Sequence, residues 1–156
     1  MSLLFEALRD LADMALGCKS CKASRSEELG ALGGLESSCM GGLVYLSGGT
    51  TALHVGVLAT PKDCSRLAGR LLGQVGDAHL PDSLVRGAMC ELAYLLAGGV
   101  KRRLSFAGAL SVGQPAYFAG AVERRVGWDT RMTHVELDAM RATLISVARS
   151  DLGPLL

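Results

Sequence analysis

DSLVRGAMCELAYLLAGGVK, running from Asp82 to Lys101, is the longest uninterrupted helical pattern in the chain. At about 100° per residue, Val85, Met89, Leu92 and Leu96 stack on one side. That row is the expected core stripe. Gly87, Glu91, Tyr94 and Gly98 line up on the opposite side, where a helix gains nothing locally from glycine and loses roughly 1 kcal/mol relative to alanine at each one. Bare backbone at positions 87 and 98 therefore flanks one carboxylate and one phenol. This row is a candidate docking strip, in which missing side chains let another surface approach Glu91 and Tyr94. The plainer alternative is a solvated face with one packing glycine and one C-terminal glycine.

Working outward, Thr60-Pro61-Lys62-Asp63 opens a preceding helix: Thr60 suits the cap, Pro61 the first turn, and Asp63 the answering position. Cys64, Leu67, Ala68, Leu71 and Leu72 give that helix its apolar face, and Gly73 its end. Before it, Gly42 to Ser47 and Thr50 to Ala59 read as two strands joined by Gly48-Gly49, a pair that supplies the positive φ of a tight hairpin. The second strand alternates so imperfectly that both its faces are expected to be covered. His54 is read as an ordinary strand residue. Cys18 to Gly42 loses periodicity and is expected to be a loop, while residues 3 to 16 form an amphipathic helix with Leu4, Leu8, Leu11 and Ala15 in one stripe and Gly17 as its cap. After the central helix, Arg102 to Ser111 and Gln114 to Val122 read as strands around Gly113, with Pro115 at a strand start or an edge.

At 156 residues the chain fits a single domain, 1–156, with enough length for a sizeable core. Sixteen Lys and Arg balance fifteen Asp and Glu, so no global field points to nucleic acid or to an anionic membrane. No run reaches the roughly 18 apolar residues that span a bilayer, and the N-terminus, with Glu6, Asp10 and Asp13, lacks the basic leader of a secretory signal. A cytoplasmic location is expected. Five cysteines are an odd number for a disulfide framework. Cys18 and Cys21 have the spacing of half a zinc site, but no second pair completes it, so neither a metal nor a cofactor is assigned. Gly41-Gly42 and Gly48-Gly49 lack the Gly-Lys-Ser/Thr of a phosphate loop. Cys90 has no base visible in the sequence, and Trp128 with Arg124, Arg125 and Arg131 is a weak nucleic-acid footprint, read as a solvated loop.

Glu91-Leu92-Ala93-Tyr94-Leu95-Leu96-Ala97-Gly98, followed by Lys101 and Leu104, resembles the signature helix of the CheC/CheX chemotaxis phosphatase family. In that signature a Glu, two spacers and an Asn precede an apolar pair, a small residue and a Gly. Gly42-Leu43-Val44-Tyr45-Leu46-Ser47-Gly48 is similar to the family's first strand and turn, and Gln114-Pro115-Ala116-Tyr117-Phe118-Ala119-Gly120 to its Pro-to-Gly strand. The resemblance is strongest over residues 40–122, and a single signature helix makes CheX the nearer pattern. It implies an α/β (α+β) domain: a mostly antiparallel sheet, the long signature helix and two further helices. It also bears on the C-terminal segment. There the spacing of Thr133 and Glu136 suits a helix cap, and Leu137, Met140, Leu144 and Val147 follow at helical intervals. The family pattern favours strands at His134 to Leu137 and Ala142 to Arg149 instead, and strands are the expectation.

The resemblance further implies a partner and a chemistry. CheX-like phosphatases act on the aspartyl phosphate of a CheY-like receiver domain; the helix Glu pairs with the receiver's active-site lysine, and the Asn orients a water. An acyl phosphate is already labile, so catalysis is mostly positioning. By position Glu91 takes the first role, and Tyr94 stands where the catalytic Asn would be. The expected function is docking on a phosphorylated receiver through Gly87, Glu91, Tyr94 and Gly98, with a degenerate catalytic pair Glu91/Tyr94. The alternatives are an active phosphatase that uses Tyr94, or a structural dimerisation module. The family also implies a homodimer.

Overall fold

A computed structural model of the chain describes residues 2–28, 39–49, 51–74, 76, 79–104, 110–123 and 126–149. In chain order the elements are α1 (Leu3–Met14), β1 (Cys21–Glu28), β2 (Cys39–Gly48), β3 (Thr51–Ala59), α2 (Pro61–Leu71), α3 (Asp82–Arg103), β4 (Ser111–Val112), β5 (Ala116–Gly120), β6 (Trp128–Leu137) and β7 (Met140–Arg149). The strands form one sheet in the order β1-β6-β7-β3-β2-β4, and β5 shares the outer flank of β2 with β4. Every pairing is antiparallel. The expected α+β class, with a long helix and two others, is what forms.

Local chemistry explains the helix starts. The Ser2 hydroxyl accepts from the Phe5 amide at 3.3 Å, and the Thr60 hydroxyl accepts from the Asp63 amide at 3.2 Å, with Pro61 in the first turn, each satisfying an amide that has no partner inside its helix. Helix α3 takes no side-chain cap but ends in Lys101, Arg102 and Arg103, where cations complement the carbonyl end of the helix dipole.

All three helices pack on one face of the sheet. The main core joins Leu4, Leu8 and Leu11 of α1, Cys64 and Leu67 of α2, and Val85, Met89, Leu92 and Leu96 of α3 to Val44, Leu46, Leu53, Val55, Val57 and Leu144. A smaller cluster of Cys39, Leu58, Met132 and Ile145, flanked by Leu43, Phe118, Val122 and Val147, lies on the other face. Strand β3 is accordingly buried on both sides, which its irregular alternation foretold. Gly42 sets how closely α3 approaches: a Cβ there would stand 2.4 Å from the Met89 carbonyl oxygen and 2.8 Å from the Ala93 methyl. Bare strand backbone thus receives the helix directly.

Three sequence expectations are corrected. The supposed loop from Cys18 to Gly42 contains strand β1 and the first residues of β2, while residues 29–38 lie outside the described set. Strand β1 reads CKASRSEE and carries no apolar alternation, because it is an edge strand held mainly by its backbone ladder to β6. The expected strand from Arg102 to Ser111 is corrected at its start. Helix α3 runs on through Arg103, Leu104 is its C-cap, residues 105–109 lie outside the described set, and beyond them Ser111–Val112 pair as strand; Gly98-Gly99 does not end the helix, because Gly99 admits the Ala7 methyl of α1, 3.0 Å from where a Cβ would stand. Trp128 and Arg131, read as part of a solvated loop, belong to β6.

The helical alternative for the C-terminal segment also falls, and strands form as expected. β6 and β7 make a hairpin turning at Asp138, whose φ of 51° is left-handed. Its ends are longer than the sequence suggested. The hairpin at Gly48-Gly49 forms as read, with β2 pairing β3 throughout.

Candidate functional site

Helix α3 presents the four strip residues on its outer face. Gly87 and Glu91 are exposed, Tyr94 is 42% exposed, and Gly98 is half-buried. Val85, Met89, Leu92 and Leu96, on the other side, are buried against the sheet. Among the described residues neither Glu91 nor Tyr94 has a hydrogen-bond or ion-pair partner within the chain. A carboxylate and a phenol with nothing to hold internally are free to contact another molecule.

The two glycines differ. A Cβ at Gly87 would meet nothing within 4 Å, so packing inside the chain gives no reason for its helix penalty. At Gly98 an added Cβ would stand 3.7 Å from Nη1 of Arg102, so the protein's own arginine lies over that notch.

Nearby cysteines and His54 show no catalytic poise. All five cysteines are free thiols. Burial pushes the Cys18, Cys21, Cys39 and Cys90 thiols up, and that of Cys64 to about 12, which disfavours the reactive thiolate. Among the described residues no three His, Cys, Asp or Glu side chains converge on a metal-sized space. The His54 ring packs on Tyr45 with centroids 4.8 Å apart, and burial lowers its pKa.

No protein-family model and no curated protein matches the sequence. Solved structures do match. The CheX chemotaxis protein of Desulfovibrio desulfuricans superposes with a TM-score of 0.76 at 11% identity, over 94% of this chain and 97% of that one. CheX of Vibrio vulnificus gives a TM-score of 0.74 at 14% identity, over 96% and 98%. The chain folds as CheX does. A CheX–CheY–BeF3–Mg2+ complex from Borrelia burgdorferi also matches, with a TM-score of 0.69 at 17% identity and 94% of both chains covered. Of the CheX-like elements here, α3 is long and apolar enough by length and composition to cross a bilayer, yet half of its most apolar window is buried inside the fold, which is the behaviour of a core helix.

The sequence reading passed over Leu84 on this surface and a contact between Arg86 and Tyr117 away from it. Leu84 lies seven residues before Glu91, shares its helical phase and is 47% exposed, so it adds apolar area to the strip. Its signal was present in the periodicity. Arg86 lies about 140° around the helix from Glu91, off the strip, with its guanidinium carbon 5.0 Å from the ring centroid of Tyr117. Tyr117 pairs with Gly42 across β2 and β5, the position on which α3 rests. Burial raises the Tyr117 pKa, and the Arg86 charge opposes that shift. Only the tertiary pairing brings positions 86 and 117 together, so no local spacing reveals this contact.

Proposed function

We propose that this protein docks on a phosphorylated CheY-like receiver domain through the outer face of α3, and that it binds its partner without appreciably hydrolysing the aspartyl phosphate. The observation that carries this reading is the joint exposure of Glu91 and Tyr94, both without partners among the described residues, on one face of the core helix of a CheX-like fold. That a CheX of this fold is solved with CheY supports the choice of partner. In the complex Glu91 pairs with a receiver lysine, and Gly87 lets the two backbones come close.

Tyr94 occupies the place of the catalytic amide. An asparagine offers an acceptor and two donors on a short arm, whereas a tyrosine carries one hydroxyl at the end of a rigid ring that reaches several ångströms further. The ring fills the space that a water and an amide would share. Catalysis by positioning is sensitive to such displacement, since about 1 Å of misplacement can cost about a hundredfold in rate. A half-exposed tyrosine is well suited to anchoring, because it joins apolar area to a polar tip.

The test is the decay rate of phosphorylated receiver domains with wild-type protein, with Tyr94→Asn and with no addition. Wild type is expected to leave the decay unchanged and Tyr94→Asn to accelerate it. Acceleration by the wild type that scales with its concentration would make the protein a phosphatase working through Tyr94. The same reading puts the protein in the cytoplasm, where receivers act, as a homodimer. The sheet ends in β1 on one side and in β4 with β5 on the other, and such strands have main-chain groups available to a second copy. Sedimentation is expected to give twice the chain mass of 16.3 kDa; a single-chain mass at micromolar concentration would remove the dimer.

A further inference from the structure

Lys101, Arg102 and Arg103 close α3, and the two arginines have different surroundings. Arg103 is tied to Asp10 and Glu6 of α1. Arg102 is exposed and, among the described residues, forms neither an ion pair nor a hydrogen bond. It nevertheless has a definite seat. Its Nη1 lies 3.7 Å from where a Cβ of Gly98 would stand, and its Nη2 3.7 Å from where a Cβ of Gly99 would stand. The guanidinium is therefore laid back along the bare backbone of this glycine pair, in the direction that a long helical side chain leans. Gly99 has a second reason in the Ala7 methyl, whereas at Gly98 an added Cβ would meet Arg102.

Helical phase puts this cation on the docking strip. Arg102 follows Glu91 by eleven positions, which leaves it only about 20° around the helix, while Tyr94 lies about 60° to the other side. Leu84, exposed at the opposite end of the helix, has the same phase as Arg102. At 1.5 Å per residue the guanidinium, level with positions 98 and 99, stands about 7 Å beyond Tyr94 and about 11 Å beyond Glu91 along the axis. From its N-terminal end the strip thus reads apolar, carboxylate, phenol, cation.

That order gives the strip a direction, because a partner laid the other way would set like charges against Glu91 and Arg102. A guanidinium already seated loses less freedom on binding, and its planar fork suits a carboxylate. Lying back one turn beyond Tyr94, it meets the rim of the contact. Resting on the docking reading above, we infer that Arg102, seated over Gly98, is a specificity-determining residue that takes a surface carboxylate of the docked receiver beyond the Tyr94 contact. The notch at Gly98 is then filled by the protein's own side chain and does not receive the partner's backbone.

The experiment measures dissociation constants for receiver domains of the source organism, activated with beryllofluoride and Mg2+, at low and near-physiological salt. Arg102→Gln is expected to weaken binding about tenfold at low salt, with the gap narrowing as salt rises, as a charge at the rim of an interface does. Lys101→Gln, beside it on the Tyr94 side, should change affinity about twofold at most; an equal loss from both would mean a diffuse positive field and overturn the seated contact. Gly98→Ala adds a methyl that Arg102 meets at ordinary contact distance, so it should bind like wild type. Loss in Gly98→Ala with Arg102→Gln unchanged would mean that the partner enters the notch. Arg102→Glu should bind worst and be recovered by one receiver variant in which an exposed Asp or Glu is replaced by Lys; recovery by none removes the carboxylate. If Tyr94→Ala weakens the complex while Arg102→Gln binds like wild type, docking stands and the role of Arg102 is overturned. If neither change matters, or no receiver binds, the docking reading fails and this inference falls with it.

Discussion

Tyr94 is the residue on which the functional reading turns. Its ring is 42% exposed on a helix whose other face is core, so truncating it removes little packing. Tyr94→Ala is expected to leave the melting temperature within about 2 °C of wild type, as surface changes of under about 0.5 kcal/mol do in a domain of this size. It should weaken the receiver complex by about tenfold or more if the ring is an anchor, which titration calorimetry reads directly; unchanged affinity moves the interface off α3. Glu91, Tyr94 and Gly87 were legible in the sequence because one helix carries them and helical phase alone groups them. Arg86 with Tyr117 was not, since the two lie on different elements and meet only once β5 pairs with β2. The clasp of Arg103 on Glu6 and Asp10 was hidden for the same reason.

Gly87 on helix α3 and Gly42 in the strand beneath it have opposite surroundings and give opposite predictions. In the strand, Gly42→Ala would drive a methyl into the Met89 carbonyl, 2.4 Å away, and into the Ala93 side chain. The helix must lift, at a cost of about 1–3 kcal/mol, and denaturant unfolding should show that loss without a change in slope. On the helix, Gly87→Ala meets nothing within 4 Å and should stabilise the protein by about 0.5–1 kcal/mol. If Gly87 admits a partner's surface, the more stable variant binds less well; equal affinity would show that the glycine has no docking role. Elements with strong periodicity, such as α1, α2 and α3, were readable as sequence, and so was the glycine-turned β2–β3 hairpin. β1 was not, because an edge strand of polar residues has the composition of a loop. The helical pattern reached Lys101, but Arg102 and Arg103, the last residues of α3, were read as strand because charged side chains carry no apolar stripe. At the C-terminal hairpin the apolar positions fit either period, and the sheet decided between them.

On the scale of the whole molecule, Asp138 joins segments that are distant in sequence. It sits at the β6–β7 turn with a φ of 51°, and its Oδ1 accepts from the Lys19 amide at 3.0 Å, the Ser20 amide at 2.9 Å and the Ser20 hydroxyl at 3.3 Å. Its own amide donates to the Ser20 carbonyl at 3.0 Å, and Oδ2 pairs with Arg70 of α2 at 3.3 Å. Arg70 in turn donates to the Gly17 carbonyl at 3.2 Å, behind the end of α1. One carboxylate therefore fastens the α1–β1 connection, α2 and the last hairpin together. The Ser20 amide above all, then the Ser20 hydroxyl, the Lys19 amide and the Arg70 charge, hold its pKa below the ordinary 3.8. A folded pKa below the unfolded one means that the unfolded chain binds the proton more readily. The contribution of Asp138 is therefore complete above about pH 4 and is lost as the pH falls through the depressed folded value. Asp138→Asn separates the charge from the geometry, since asparagine tolerates a left-handed backbone and keeps one carbonyl acceptor. Other carboxylates titrate equally in both proteins, so the difference between the two stability curves isolates this site. Asp138→Asn is expected to be less stable at neutral pH, and the gap should narrow as unfolding is followed from about pH 5 to about pH 3. A gap that stays constant over that range would mean that the amide contacts alone hold the three segments and that the charge contributes nothing.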